Sequence, residues 1–170
     1  MYILGDIGNS ESKVFLVNSK NKVIKNINFP SKKINNKLLK SKFRYMVKDF
    51  NRIEKILFCS VVPKSFSLIK NFLSKNTKIR CHEVKDLKLK SLINVKVNFN
   101  QVGSDRLTNA ISLANNHKNY VILDFGTATT FDVLMKNSYS GGIIAPGVRL
   151  SLNTLADKAT LSPIIKLKKI

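Results

Sequence analysis

Apolar residues along this chain fall into two rhythms, one with the period of a strand and one with the period of a helix. Val121-Ile122-Leu123 is an apolar run that ends in Asp124, passes a Gly126-Thr127 turn and resumes in Thr129-Thr130-Phe131-Asp132-Val133. An apolar run, an acid, a glycine turn and a β-branched return predict a hairpin over Val121–Val133 with a carboxylate at its mouth. The same order stands near the start of the chain. Tyr2-Ile3-Leu4-Gly5-Asp6 leads into Ile7-Gly8-Asn9-Ser10, and Lys13-Val14-Phe15-Leu16-Val17 returns. The repeat predicts two related lobes, each opening on a hairpin and both facing one nucleotide.

Other elements follow from the same reading. Lys22–Phe29 alternates and predicts a strand, broken by Pro30-Ser31. Leu38, Leu39, Phe43, Met46, Val47 and Phe50 recur at helical spacing across about Asn35–Phe50. Lys55–Val62 predicts the most buried strand, ending at Pro63. Phe66, Ile69 and Leu73 place a helix over Ser65–Leu73, with Ser65 as its candidate cap. Ile79–Val84 predicts a short strand, and Asp86–Asn100 reads as loop and irregular strand. A helix starts at Ser104 or Asp105 with Leu107, Ala110, Ile111 and Ala114 on one face and His117 near its end, as a charge partner there. Tyr139–Val148 predicts a strand opened by Gly141-Gly142 and closed by Pro146-Gly147. Val148–Ala159 predicts a helix with Leu150, Leu152 and Leu155 as its buried positions.

Composition narrows the class. The chain has 170 residues, 44% of them hydrophobic, which suffices for one ordinary domain or two small lobes. No apolar run approaches the roughly 20 residues that span a bilayer. The N-terminal stretch lacks the basic region and cleavage pattern of a secretory leader, so the expectation is a cytoplasmic protein with no membrane partner. Cys59 and Cys81 form no metal motif and read as reduced thiols. His82 has no second ligand residue at metal spacing. Thirty Lys and Arg against ten Asp and Glu give a formal charge of +20. That balance permits a nucleic-acid surface. The lysines are scattered and do not interleave with aromatics, so nucleic acid is not the favoured partner. The same field attracts a small anionic substrate.

The candidate chemistry gathers at the hairpins and at one helix start. Gly126 lets backbone approach a ligand, and backbone N–H groups with threonine hydroxyls suit a phosphate. Asp124 offers oxygen to a hard cation. In Gly103-Ser104-Asp105-Arg106, Asp105 is either a residue that favours the helix dipole or a general base, and Arg106 either a surface cation or a clamp on an anionic group.

Asp6-Ile7-Gly8-Asn9-Ser10, Gly103-Ser104-Asp105-Arg106 with Asn109-Ala110, Asp124-Phe125-Gly126-Thr127-Ala128-Thr129-Thr130-Phe131-Asp132 and Gly141-Gly142-Ile143-Ile144-Ala145-Pro146-Gly147 together, in this order, resemble the type III pantothenate kinases. The resemblance runs from Tyr2 to about Pro163. It implies an α/β fold of the actin-like class with two ribonuclease-H-like lobes, residues 1–100 and 101–170, the second incomplete. It implies phosphorylation of pantothenate by ATP with Mg²⁺, the first step of coenzyme A synthesis, in a homodimer. Carried over, Asp6, Ile7, Gly8, Asn9, Ser10, Glu11, Ser12 and Lys13 form the first phosphate loop, and Thr127 contacts ATP. Gly103, Ser104, Asp105 and Arg106 line the pantothenate site, with Asp105 the base. Asp124 holds a monovalent cation, K⁺ or NH₄⁺.

The chain departs from the family at Lys96, where a tyrosine is usual, and at Phe99, where a proline is usual. It is also shorter than its family. A shortened product, a C-terminal part carried on another chain and a dimer that covers the gap are all compatible with the sequence. A non-catalytic relative, of the kind described as transcription accessory factors, is a second reading. A basic nucleic-acid-binding protein is a third. Asp6, Asp105 and Asp124 together favour the enzyme.

Overall fold

In a computed structural model, residues 1–158 of the chain are described. They form two compact units, Met1–Leu89 with Gly103–Thr108, and Lys90–Val102 with the residues from Asn109 onward.

The first unit is built on five strands, β1 (Tyr2–Ile7), β2 (Glu11–Val17), β3 (Val23–Pro30), β4 (Lys55–Ser60) and β5 (Cys81–Glu83), in the order β3-β2-β1-β4-β5. The hairpin partners are antiparallel, whereas β1, β4 and β5 run parallel. Two helices supply the crossovers, α1 (Asn36–Met46) and α2 (Pro63–Asn76). Asn35 caps α1, its side-chain oxygen accepting the Leu38 N–H at 2.9 Å. Leu39, Phe43 and Met46 of α1 and Ile69 and Leu73 of α2 fall on one face each and are buried. They join Ile3, Ile7 and Val14 of the sheet in one core. β4 carries the buried Ile56 and Phe58, as its apolar pattern predicts.

α2 begins two residues earlier than the apolar spacing indicates. Pro63 takes its first turn, where a missing N–H costs nothing, and Val62 precedes it without a side-chain cap. Ser65 is therefore inside the helix rather than at its cap, and its buried hydroxyl donates to the Ser31 carbonyl at 3.2 Å.

The second unit holds a four-stranded sheet, β6 (Asn94–Val95), β7 (Asn119–Phe125), β8 (Ala128–Met135) and β9 (Ser138–Pro146), in the order β6-β9-β8-β7. β7, β8 and β9 form an antiparallel meander, and β6 joins β9 in parallel. The Asp86–Asn100 stretch contains β6 and short 3-10 turns. The two glycines expected to open β9 lie inside it. Gly141 has φ +98° beside a register shift, a backbone state that glycine adopts freely. Tyr139 and Asp132 are fully buried together, the phenol donating to Asp132 Oδ1 at 2.5 Å. α3 (Ser104–Leu113) divides, its first turn and Thr108 belonging to the first unit and the rest to the second. It ends before His117, which lies in the turn leading to β7 rather than on the helix, where the Asn115 side chain accepts its N–H.

α4 (Val148–Lys158) forms as the spacing predicts, and Ala159 lies outside the described residues. Its expected burial does not follow. Leu150 and Leu155 are each 55% exposed, and Leu152 is half-buried. Helical periodicity identifies an apolar stripe but does not supply the surface that covers it. Val121, Leu123 and Phe125 of β7 likewise present exposed side chains along one face of the sheet.

Candidate active site

In the first unit the site residues converge on the C-terminal ends of β1 and β4. Ligands of parallel α/β sheets collect at such ends, where loops diverge and backbone groups point outward. Asp6 is the penultimate residue of β1 and stands beside Cys59 in the parallel register. The Cys59 thiol donates to Asp6 Oδ1 at 3.4 Å. Burial pushes this thiol far above its ordinary range, and the charges of Asp6, Asp105 and Glu83 push it further. Cys59 is thus a protonated hydrogen-bond donor among three carboxylates, unsuited to act as a nucleophile.

The loop from Asp6 to Lys13 is held from beneath by serines. Gly8 N–H donates to the Glu11 carbonyl at 3.0 Å, closing the turn. Ser31 Oγ donates to the Gly8 carbonyl at 2.6 Å and lies 2.8 Å from Ser12 Oγ. Ser31 N–H bonds the Ser10 carbonyl at 3.1 Å. Asn9, Ser10, Glu11 and Lys13 are exposed, whereas Ile7 and Ser12 are fully buried. Ile7 packs in the core and Ser12 faces Ser31, so their side chains support the loop from inside. Ser31 and Ser65 were not legible as site residues. They act through the loop, and an isolated serine in sequence carries no sign of that.

α3 begins at the same place. Ser104 Oγ accepts the Ser60 N–H at 2.7 Å and lies 3.0 Å from the Ser60 carbonyl, to which it donates. β5 has already ended at Glu83, so a single hydroxyl satisfies both backbone groups that a further strand residue would have met. Ser104 is buried, and its hydroxyl is committed to this bridge. The next residue, Asp105, folds its carboxylate back over Gly103, where any Cβ would collide with Oδ1. Oδ1 also accepts the Arg106 N–H at 2.8 Å. The structure therefore brings Asp6, Gly103, Ser104, Asp105 and Arg106 into one unit.

In the second unit Asp124 and Thr127 share the β7–β8 hairpin. Asp124 is exposed, stands opposite Thr130 and accepts the Asn109 side-chain N–H at 3.0 Å on Oδ2. Gly126 N–H closes the turn on the Ala128 carbonyl at 2.9 Å. Gly147 N–H donates to the Thr127 carbonyl at 3.2 Å. A Cβ on Gly147 would lie 2.5 Å from the Gly126 and Thr127 carbonyl oxygens. Only glycine lets the end of β9 rest against this turn. Thr127 is exposed at its crest. Lys96, one of the departures, is exposed and bonds the Tyr139 carbonyl through its backbone at 2.9 Å. Phe99 opens a 3-10 turn and is half-buried.

The family profile described as type III pantothenate kinase matches residues 2–170. A type III pantothenate kinase from Pelagibacter ubique is 58% identical over 169 residues, covering 99% of this chain and 68% of that protein. The chain belongs to the type III pantothenate kinase family. A Sulfurihydrogenibium type III pantothenate kinase is 34% identical over 177 residues, covering 99% of this chain and 69% of that protein. A third, from Syntrophotalea carbinolica, is 34% identical over 122 residues and is matched over 48% of its length. Among solved structures, a Campylobacter jejuni protein described as a Baf family transcriptional activator superposes with a TM-score of 0.55 at 18% identity, covering 98% of this chain and 68% of that one. A Sinorhizobium meliloti protein assigned as a 2-dehydro-3-deoxygalactonokinase gives 0.54 at 10% identity, covering 95% and 59%. At these identities the likeness speaks for the fold alone. No helix among the described residues is long and apolar enough to cross a membrane.

Proposed function

We propose that this chain transfers the γ-phosphoryl group of ATP to the primary hydroxyl of pantothenate, giving 4′-phosphopantothenate and ADP, the first step of coenzyme A synthesis. The observation that carries the reading is the 58% identity with a type III pantothenate kinase across 99% of the chain. The grouping of Asp6 and Asp105 around Cys59 gives it a chemical basis.

Phosphoryl transfer asks a protein mainly to position reactants and to balance charge. The residues Asp6 to Lys13 form the first phosphate loop, Gly8 keeping the turn tight and the exposed Asn9, Ser10 and Lys13 facing the phosphates. Asp105 takes the proton of the pantothenate hydroxyl as its oxygen attacks the γ-phosphorus. Gly103 and Arg106 line the pantothenate site, and Ser104 contributes by fixing the start of α3 to β4. Arg106 receives the pantothenate carboxylate. Thr127 contacts ATP from the second hairpin. A divalent ion enters with ATP and offsets its phosphate charge.

Asp124 suits a monovalent cation, K⁺ or NH₄⁺. It is an exposed carboxylate steadied by Asn109 at a turn rich in carbonyl oxygens. Asp6 thus opens the phosphate loop, Asp105 accepts the proton and Asp124 binds the cation. The two ribonuclease-H-like lobes correspond to about residues 1–100 and 101–170, and the working form is a cytoplasmic homodimer.

The test is a mass-spectrometric assay for 4′-phosphopantothenate with the purified chain, ATP, magnesium, potassium and pantothenate. Product from the wild type and its loss in Asp105→Asn support the proposal. A folded wild-type chain that makes no product overturns self-sufficient kinase activity.

A further inference from the structure

We propose that the Thr130 hydroxyl is a second protein ligand of the monovalent cation at Asp124. This rests on the reading of Asp124 given above and extends it to a residue outside the assigned site.

Thr130 Oγ1 is shielded from solvent and has no hydrogen-bond partner among the described residues. A hydroxyl in that state is costly unless something outside the protein chain completes it, such as an ion or water. Thr130 stands directly opposite Asp124 in the antiparallel β7–β8 register. Opposed residues of such a ladder project from the same face, with Cβ atoms about 4.5–5.5 Å apart. One small ion can therefore touch an oxygen from each. On its other side Thr130 pairs with Ile144, whose side chain offers no polar atom. Asn109 holds Asp124 through Oδ2, so that bond does not engage Oδ1.

The donor set suits the ion. A carboxylate and a hydroxyl present hard oxygens, which hard cations prefer. Asn109 donates to Asp124 through its side-chain nitrogen and so fixes the carboxylate's orientation. A valine would satisfy this strand position sterically, and only the oxygen distinguishes threonine there.

The experiment titrates Tl⁺, a K⁺ surrogate, into the full chain and follows binding by thallium NMR. Thermal melts in potassium and choline chloride at equal ionic strength run beside it. Thr130→Val keeps the shape and removes the oxygen, Thr130→Ser keeps the oxygen, and Asp124→Asn removes the carboxylate charge. The expected result is affinity about ten-fold or more weaker in Thr130→Val and Asp124→Asn, with Thr130→Ser near the wild type. The melting temperature of Thr130→Val in choline chloride checks that it folds, and Thr130→Ala replaces it if it does not. Wild-type Tl⁺ affinity in the oxygen-free variants overturns the role of Thr130 and leaves the Asp124 reading standing. No saturable Tl⁺ binding by the wild type overturns both. Loss in Thr130→Val without loss in Asp124→Asn places the ion away from Asp124 and overturns the pairing.

Discussion

Gly5 sets how closely β1 lies against the Phe58 ring, and Gly5→Ala tests that contact. A Cβ there would fall on Cδ1 and Cε1 of Phe58 and reach Cζ at 2.9 Å. Carbon atoms rest about 3.5–4.0 Å apart, so the ring would have to retreat by about an ångström or more. It has little room to do so. Phe58 is fully buried and packs against Phe66, with ring centroids 6.1 Å apart. Overpacking a core costs about 1–3 kcal/mol, and a collision with a confined ring belongs at about 3 kcal/mol. For a unit of about 100 residues each kcal/mol moves Tm by about 4–8 °C, giving a fall of about 12–24 °C. Urea and thermal denaturation followed by circular dichroism measure it. Phe58→Ala removes the colliding atoms, so the double variant should recover about 1–3 kcal/mol relative to additivity. A wild-type Tm for Gly5→Ala, or strictly additive costs in the double variant, would refute the steric account. Asp6 follows Gly5 and Cys59 follows Phe58, so the same substitution also disturbs the Cys59–Asp6 bond.

Other perturbations probe the remaining contacts. Asp105→Asn should lower kcat for 4′-phosphopantothenate formation by about 10²–10⁴ with little change in KM for ATP, since it removes a proton acceptor; unchanged kcat would reassign the base. Burial raises Cys81 to about 12 and Cys59 further, so both thiols should react with iodoacetamide at pH 8 far more slowly in the folded chain than in urea. The raised thiols also fix a sign: unfolded thiols ionise from about pH 8.5 upward while the folded ones stay protonated, so stability falls as pH rises through that value. Urea midpoints that do not fall between pH 7.5 and 10 would contradict it. Tyr139→Phe takes the phenol donor from the buried Asp132 and should cost about 1–3 kcal/mol in a thermal melt.

Much of the frame was legible because it repeats simple periods. Strand alternation and helical spacing locate β1, β2, α1, β4 and the β7–β8 hairpin, since each buries one face against a core or neighbouring strand. The misses share a cause. The start of α2 was set by Pro63 and not by a serine cap, because a proline at the first turn needs no side-chain partner. Leu150 and Leu155 carry the periodicity of burial without being buried. Periodicity is local, whereas burial depends on what lies opposite. Among the site residues, Asp6, Asp105 and Asp124 stood out because an acid beside an apolar run or helix start is conspicuous. Ser31, Ser65 and Cys59 did not, because their roles consist of bonds to residues far away in sequence.

The two hairpins open on the same sequence pattern, yet each aspartate is held by a different device. Asp6 is half-buried and accepts a hydrogen bond from the Cys59 thiol of the adjacent strand β4. Asp124 is exposed and accepts a hydrogen bond from the Asn109 side-chain amide of α3. The difference matches the tasks proposed for them. A carboxylate working beside phosphates needs a fixed place, and the neutral Cys59 thiol fixes Asp6 without adding charge while Lys13 stands opposite it in the β1–β2 register. A carboxylate that receives a cation needs an oxygen outside its supporting bond and a second oxygen within reach, which Asn109 and Thr130 provide. The repeat therefore accounts for where the acids stand, and the partners chosen from neighbouring elements account for how their chemistry diverges.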